Sequence, residues 1–570
     1  MKIVMDFLKQ QKYLILFLIL GFICFGNILN NKFVWLDSPY ILNNPESQTL
    51  NLYNLFDGFS LTGFGNYRPL SAVILTFIYL TFKFNPFFYH FLQILIYSLN
   101  AYLVFLLFKR FFKEKLSLFL AIVFYTHTLN EGVVAFISSF ADVLYVFFGL
   151  LALLISTKRI RLLWKIIAVN LLLFASILSK ESGFIFFLAV IFMQFFILKK
   201  KTLVYIVSGI ITFLGYMAVR SVFHGFYLGK IEAHPFANST FLEKIITVPK
   251  ILSFYIGKFF VPFNIGGIHI WTIDKITFSN FYFPLFLDVL FFSCLLLIGY
   301  YVLKREKKDF YKFIFFFLLF IVGLSPYLQI IPLDYTVAGR WFYVSIIGLL
   351  GIAGLMLETI HIKKIEIRKI ITVIAIIVIV LLTLRTLNRN RYWKDDVTLF
   401  NSFSKAEDNY VVENLLAGAY ISEHNYQEAL IHENQSVEMF PYDNNLVWDA
   451  YIYEQLGNMQ KAQELYIKSI SANNYAPGEH GDTTYRMLAR FFILTKDNKT
   501  ALTLLEHALR DYPNEPYFWE LIAVVRHNLH DQAGAASSIQ RALSLSPNDP
   551  DIRAINDAIQ NNIPFSIKTN

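Results

Sequence analysis

The sequence predicts an all-α protein in two parts, a polytopic bundle of about eleven membrane-spanning helices over 1–388 and a solenoid of paired helices over 389–570. Three observations carry this prediction. Of the 570 residues, 56% are hydrophobic and only 16% charged, where a soluble domain carries about 25% charged residues. The apolar residues gather in runs close to the length of about 20 residues that a spanning helix needs. From about Arg389 they give way to a polar, helix-periodic sequence that repeats itself.

The apolar runs fall near 13–30, 88–108, 116–126, 133–156, 162–179, 183–198 and 202–220. After a wetter interval, four more lie near 281–303, 311–330, 341–358 and 370–387. The run at 116–126 is short for a span and continues toward Glu131. The first run stays joined to a polar loop beginning with Asn30 and Asn31, with no small-residue cleavage site, so it reads as a retained span rather than a signal peptide. Residues 70–84 are apolar but bracketed by Pro69 and Pro86. They read as a helix lying in the interface, with a twelfth span as the alternative. Residues 241–265 read as amphipathic and interfacial.

The net charge of +9 is explained by where the cations sit. Lysine and arginine collect on cytoplasmic loops, and with the N-terminus inside they fall at Lys2, Lys9 and Lys12, then 109–115, 158–165, 199–201, 304–312 and 363–369. The basic charge is therefore topogenic, and no nucleic-acid partner is implied. An odd number of spans places the C-terminal repeats outside the cytoplasm. Cys24 and Cys294 each sit within an apolar run, which excludes a disulfide scaffold and a zinc ribbon and leaves a single bridge between them open.

In the second part, the segment from Pro513 to Pro547 is one 34-residue step. A second copy runs from Pro441 through Trp448, Tyr451, Leu456, Gly457, Ala462, Leu465 and Tyr466. Weaker copies start near Asp408, with Leu416, Tyr420, Tyr426 and Ala429, and near Tyr485, with Leu488, Ala489, Ala501 and Leu505. Small residues where helices cross and large ones between them are what stacked helix pairs need. Phase and period resemble tetratricopeptide repeats, about four of them, an architecture that presents a concave surface to extended peptides. A purely structural prop for the membrane part is the alternative.

Chemistry concentrates in outer loops. Asp37 sits just past the first span beside Trp35 and Phe33, and a carboxylate at this depth can take the proton of an attacking hydroxyl; capping a helix together with Ser38 is its alternative role. Asp57 follows before Gly58. Arg68, ahead of Pro69, offers a guanidinium to a phosphate or carboxylate, or anchors in the headgroups. Three further clusters interrupt apolar sequence: His127, Asn130 and Glu131 with Asp142; Lys180 with Glu181; and Asp334 with Arg340. All fall on one predicted membrane face. Such a set suits a lipid-linked phosphate leaving group, cations neutralising the phosphate while an acid activates the acceptor. No glycine-rich phosphate loop, HExxH helix or paired CxxC occurs.

FVWLDSP from Phe33, YRPL from Tyr67, His127 with ADVL from Ala141, SKES from Ser179, GRWFY from Gly339 and RNRYWKDDVTLF from Arg389, followed by repeats, together resemble the transmembrane tetratricopeptide-repeat glycosyltransferases. These include O-mannosyltransferases acting on cadherins and bacterial relatives, and they have the glycosyltransferase C fold. The resemblance runs from about residue 13 to the end. It implies inverting transfer of a sugar from a polyprenyl-phosphate donor to a hydroxyl on the non-cytoplasmic face. By it, Asp37 takes the role of general base or acceptor-positioning group, while Lys180, Arg340 and Arg68 meet the donor phosphate. His127, Asn130, Glu131, Asp142 and Glu181 line the site. The chain departs from the family pattern where the acidic pair is reduced to Asp37 between Leu36 and Ser38, and where Asn130 replaces a second His and Gly132 the usual acid.

The resemblance makes a lipid-linked sugar the donor, a Ser or Thr of a polypeptide held by the repeats the acceptor, and membrane lipids the surroundings. One alternative keeps the donor and changes the acceptor to a lipid or an envelope glycan; another is a non-enzymatic, membrane-anchored repeat scaffold. No cofactor is implied, and a single carboxylate argues against a bound divalent ion, which prefers several oxygen ligands. His224, His234, His269 and Asp274 form a ligand set only on paper, their spacing being irregular. Asn-x-Ser/Thr triplets at Asn238, Asn434 and Asn498 all fall on the predicted outer side. Residue usage rich in Lys, Asn, Ile and Phe leans towards a bacterial inner membrane with periplasmic repeats; a eukaryotic chain would sit in the endoplasmic reticulum.

Overall fold

The computed structural model of the chain describes residues 2–57, 67–223, 239–331, 333, 335–359, 365–472, 481–547 and 549–561. Among them every regular element is a helix, apart from one isolated antiparallel bridge between His269 and Val337. The chain divides into two compact units, 1–406 and 407–570.

Among the described residues of the first unit, ten helical stretches are long and apolar enough to cross a bilayer: Gln11–Ile28, Pro86–Phe108, Ile137–Ser156, Leu162–Ser179, Glu181–Leu198, Thr202–Phe223, Phe278–Arg305, Lys307–Tyr327, Gly339–Glu358 and Lys369–Trp393. An eleventh is broken, its halves Glu114–Thr126 and Thr128–Ala135 meeting at 51°. The break falls where the sequence run was short. His127 is extended there (φ −66°, ψ 121°), and its ring accepts the Leu129 N–H that a continuous helix would have turned back along its axis.

The helix Pro69–Phe82 has 14 residues, about 21 Å at 1.5 Å per residue, short of the hydrocarbon thickness of about 30 Å. Lys83 ends it in the left-handed region (φ 54°), and Asn85 caps the next helix through the Phe87 N–H. Elsewhere small residues let spans approach closely. A Cβ at Gly348 would lie 2.5 Å from the Phe320 nitrogen, so the helices Lys307–Leu324 and Tyr343–Thr359 touch backbone to backbone. Cys24 and Cys294 are both free, the first buried and the second exposed, so no bridge joins them.

The second unit stacks four helix pairs, Tyr410–Ser422 with Tyr426–Met439, Asp443–Gln455 with Met459–Ser471, Gly481–Leu494 with Asn498–Asp511, and Pro516–Asn528 with Gln532–Leu545, closed by Pro550–Gln560. The period shows in the capping. Asn425, Asn458, Asp497 and Asp531 precede the second helix of each pair, and each side chain accepts the backbone N–H three residues on. The alanines four residues beyond each cap, Ala429, Ala462, Ala501 and Ala535, are all fully buried.

The boundary between the units lies later than the change in composition near Arg389. Residues 391–404 belong to the first unit because Trp393, Phe400 and Phe403 are buried there, and both phenylalanines pack edge-on against Trp35.

Candidate active site

The helix Leu162–Ser179 ends at Lys180, whose extended backbone turns the chain into the next span. Gly183 makes that turn possible. A Cβ there would stand 2.5 Å from the Ser176 carbonyl carbon, so the turn lies flat on the preceding helix end. The fold sends the Lys180 ammonium inward, 2.6 Å from Oδ1 of Asp142 in the first turn of Phe140–Ser156, with the two side chains 7% and 4% exposed. The neighbouring Glu181 takes the Arg68 Nε at 3.2 Å and the Tyr67 N–H at 3.1 Å. Ser71 donates to the Ser179 carbonyl, and Ser182 bonds the Tyr327 hydroxyl at 2.7 Å.

Burial holds the Lys180 amine below its ordinary range. Asp142 opposes this, while the positive charges of Arg68 and Arg340 push further in the same direction. Lys180 thus feels both Arg68 and Arg340 in a partly buried centre that contains two acids, Asp142 and Glu181. Among the described residues, three cations share this centre with two acids.

Arg340 lies on the turn Gly339–Phe342. Among the described residues it makes no ion pair; its guanidinium sits 6.0 Å from the centroid of Trp35 and 5.6 Å from that of Phe136. These two rings stack at 5.2 Å, and they tie the cationic centre to the loop that carries Asp37.

Asp37 is fully buried. One carboxylate oxygen accepts the Val34 N–H at 3.0 Å, and the other accepts both the backbone N–H and the hydroxyl of Ser138, at 2.7 and 2.5 Å. Trp35 is held in the left-handed region (φ 55°), its N–H given to Asp396 at 2.6 Å. Burial pushes the Asp37 carboxyl up to about 7 against the pull of its bonds to Ser138 and Val34, with Asp396 adding to the rise. The residue begins the helical turn Ser38–Leu42, but its side chain does not cap it. Instead the carboxylate clamps the first loop to the turn Ile137–Ser139.

His127, Asn130 and Glu131 have other partners and stand apart from the Lys180 cluster. His127 accepts from Leu129 at Nδ1, which leaves Nε2 to donate to the Phe259 carbonyl at 3.0 Å, and its ring stacks on Phe259. Asn130 donates to the Phe124 carbonyl at 2.8 Å. Glu131 takes Arg389 at 3.0 Å and the Trp393 indole N–H at 2.9 Å. Glu131 thus pins the broken span to the last one, His127 ties it to the helix Phe241–Phe260, and Asn130 holds its two halves together. Each of the three is engaged in joining helix segments, and Glu131 also faces a small cavity. That cavity, about 40 Å³, is lined by Trp35, Glu131, Tyr335, Arg340 and Trp393 among others. It has room for about one water, where small-molecule pockets span about 300–1,000 Å³.

Sequence reasoning passed over Ser138, Tyr327 and the separate duties of Arg389, Trp393 and Asp396. The last three stand in the RNRYWKDDVTLF stretch, where adjacent acids divide the work: Asp395 caps the helix Asp396–Ser404 and Asp396 holds Trp35. Ser138 carried no signal beyond two consecutive serines within apolar sequence. Of the remaining candidates, Asp334, His224, His234 and Asn238 lie outside the described residues, as does the side chain of Asp57. His269 packs edge-on to Phe254, and among the described residues no three His, Cys, Asp or Glu side chains gather to hold a metal ion.

No protein-family model and no curated protein matches the chain. Solved structures similar to it include ArnT from Cupriavidus metallidurans, determined with undecaprenyl phosphate bound. That likeness has 11% identity over 84% of this chain and 85% of the other, with a TM-score of 0.38. YrrB, a tetratricopeptide-repeat protein with an unusual peptide-binding site, is similar at 10% identity over 31% of this chain and 87% of its own, with a TM-score of 0.24. At such scores neither likeness bears on function, which has to be argued from the residues.

Proposed function

We propose that this protein is an integral-membrane glycosyltransferase that moves a sugar from a polyprenyl-phosphate donor to a Ser or Thr hydroxyl of a polypeptide. The observation that carries the reading is the convergence of Arg68, Lys180 and Arg340, from three distant parts of the chain, on one partly buried centre. A phosphodiester donor brings one negative charge to such a centre, and its leaving phosphate develops a second. Cations already fixed in a low-dielectric site stabilise that second charge without reorganising.

The acceptor oxygen bonds to the anomeric carbon from the side opposite the phosphate, and the bond from that carbon to the phosphate oxygen breaks. Polyprenyl phosphate leaves with the electron pair. The acceptor proton passes to Asp37, which exchanges the Ser138 hydroxyl for that of the acceptor. A carboxyl poised near 7 suits this task at neutral pH. Donor and acceptor are brought together on the non-cytoplasmic face, with the N-terminus cytoplasmic and the repeats presenting the polypeptide. Side-chain cations act at the phosphate in place of a metal.

A non-catalytic scaffold is the second reading, favoured by one observation: both oxygens of Asp37 are already bonded and the residue is fully buried. Membranes from cells lacking the gene, complemented with wild-type or Asp37→Asn protein, separate the two. Mass spectrometry of envelope proteins should find hexose-modified peptides with wild type and none with the variant at equal expression. Full modification by the variant would overturn the transferase mechanism, and its absence from both would favour the scaffold. Removing 407–570 tests the acceptor, since a transferase acting on lipid or glycan keeps its activity without the repeats.

A further inference from the structure

The span Glu181–Leu198 begins beside Lys180 and ends at Lys199, so its 18 residues, at 1.5 Å each, separate these two lysines by about 27 Å. At the Lys199 end lies the roomier of the two cavities described here, about 330 Å³, within the range of small-molecule pockets. Its floor is aromatic, Phe196 and Tyr311 lying 6.5 Å apart between centroids. Four lysines line it, Lys199 from the connection after Glu181–Leu198 and Lys307, Lys308 and Lys312 from the first turns of the span Lys307–Tyr327.

Topogenic charge explains lysines at span ends; it does not require two span ends to bring them to one hollow. The gathering is electrostatically costly. Asp309 compensates Lys312 at 2.6 Å, and Lys199 lies over the face of Tyr311 at 4.1 Å from its centroid. Lys199 and Lys201 both adopt left-handed backbone (φ 53° and 52°), and Lys307 and Lys308 are exposed. An anion in the hollow relieves the mutual repulsion of these cations. The hollow lies at span ends, where headgroups lie, and Phe195 beside it is 57% exposed, an apolar surface on which an acyl chain can rest. Basic pockets between spanning helices suit the phosphate of an anionic lipid.

We infer that this cleft is a specific site for an anionic phospholipid headgroup, its phosphate among Lys199, Lys307 and Lys308 and its acyl chain along Phe195 and Phe196. The site is separate from the Lys180 centre and does not depend on what that centre catalyses.

Native mass spectrometry of the full-length protein released from nanodiscs tests it. With phosphatidylglycerol in a phosphatidylcholine background, one phosphatidylglycerol should stay bound. Lys199→Gln with Lys308→Gln should lower its retention about tenfold. Lys158→Gln with Arg161→Gln, which removes equal charge from another basic connection, should change it less than about twofold. Equal loss in both double variants, or equal retention of phosphatidylcholine, would reduce the cleft to general surface charge and overturn the proposal. Inorganic phosphate at millimolar concentration should not displace the lipid; displacement would make the site one for free phosphate and overturn the lipid assignment. A fluorescence melt in the same detergent keeps misfolding from passing as lost binding, because a folded double variant melts with wild type and an unfolded one calls for Lys199→Gln alone.

Discussion

The two units differ in how they use polar residues, although the repeats too hold a buried long-range pair, Arg490 on Glu454 at 2.7 Å. In the repeat unit the capping bonds reach three residues along the chain, from Asn425 to Glu428 or Asp531 to Gly534, and recur with the repeat. In the membrane unit the bonds that shape the centre cross the sequence: Lys180 reaches back 38 residues to Asp142, Arg68 reaches 113 to Glu181, and Arg389 reaches 258 to Glu131. Each local bond can be lost and leave its neighbours standing. A buried long-range pair cannot lose one partner without stranding the other in a low dielectric.

The sharpest way to break this contrast is at Lys180. Lys180→Met leaves Asp142 charged and unpartnered, which should cost about 3–5 kcal/mol and appear as a large drop in the melting temperature of the detergent-solubilised protein. Pairing it with Asp142→Leu should restore much of the stability, as replacement of a buried pair by apolar residues often does, while transfer from a lipid-linked donor stays abolished. Recovery of both would make the pair purely structural.

Asp37 comes next. Asp37→Asn keeps one acceptor oxygen, enough for the Ser138 bonds, and gives up the bond from the Val34 N–H; it should lower transfer by about 100-fold or more, the usual worth of a general base. In the wild type, kcat/KM should fall as pH drops below about 7, where the carboxyl takes up its proton, and level off above it. A profile flat from pH 5 to 8 would remove Asp37 from the chemistry.

What the sequence discloses differs between the units for the same reason. In the repeats the period, the buried alanines and the number of helix pairs are all readable, because each feature is set by neighbours within one 34-residue step. In the membrane unit the spans are readable from hydropathy, but the short run at 116–126 reads as continuing toward Glu131, and the break at His127 is not legible in it. Asp142, Lys180, Glu181, Arg68 and Arg340 can be picked out as isolated charges, and the fold brings them into one centre. Their partners cannot be read. Nothing local distinguishes Glu131, which secures Arg389 and Trp393, from Glu181, which faces Arg68; only the crossing of helices decides. Ser138 was invisible because a hydroxyl and an N–H gain their importance from the carboxylate brought to them.

The smaller predicted effects lie in the repeats and test whether losses there stay local. Ala462 is fully buried in the second helix of its pair, Met459–Ser471. Ala462→Leu should overpack that crossing and cost about 1–3 kcal/mol, read as faster amide exchange in residues 443–471 of the full-length protein. The mildest is Asn458→Ala, which removes the bond to the Lys461 N–H and should cost about 1 kcal/mol, confined to the first turn of the same helix. If either substitution instead accelerated exchange equally in all four helix pairs, the repeats would share one cooperative core. Their stability would then depend on long-range packing as the Lys180 centre does, and the contrast between the units would fail.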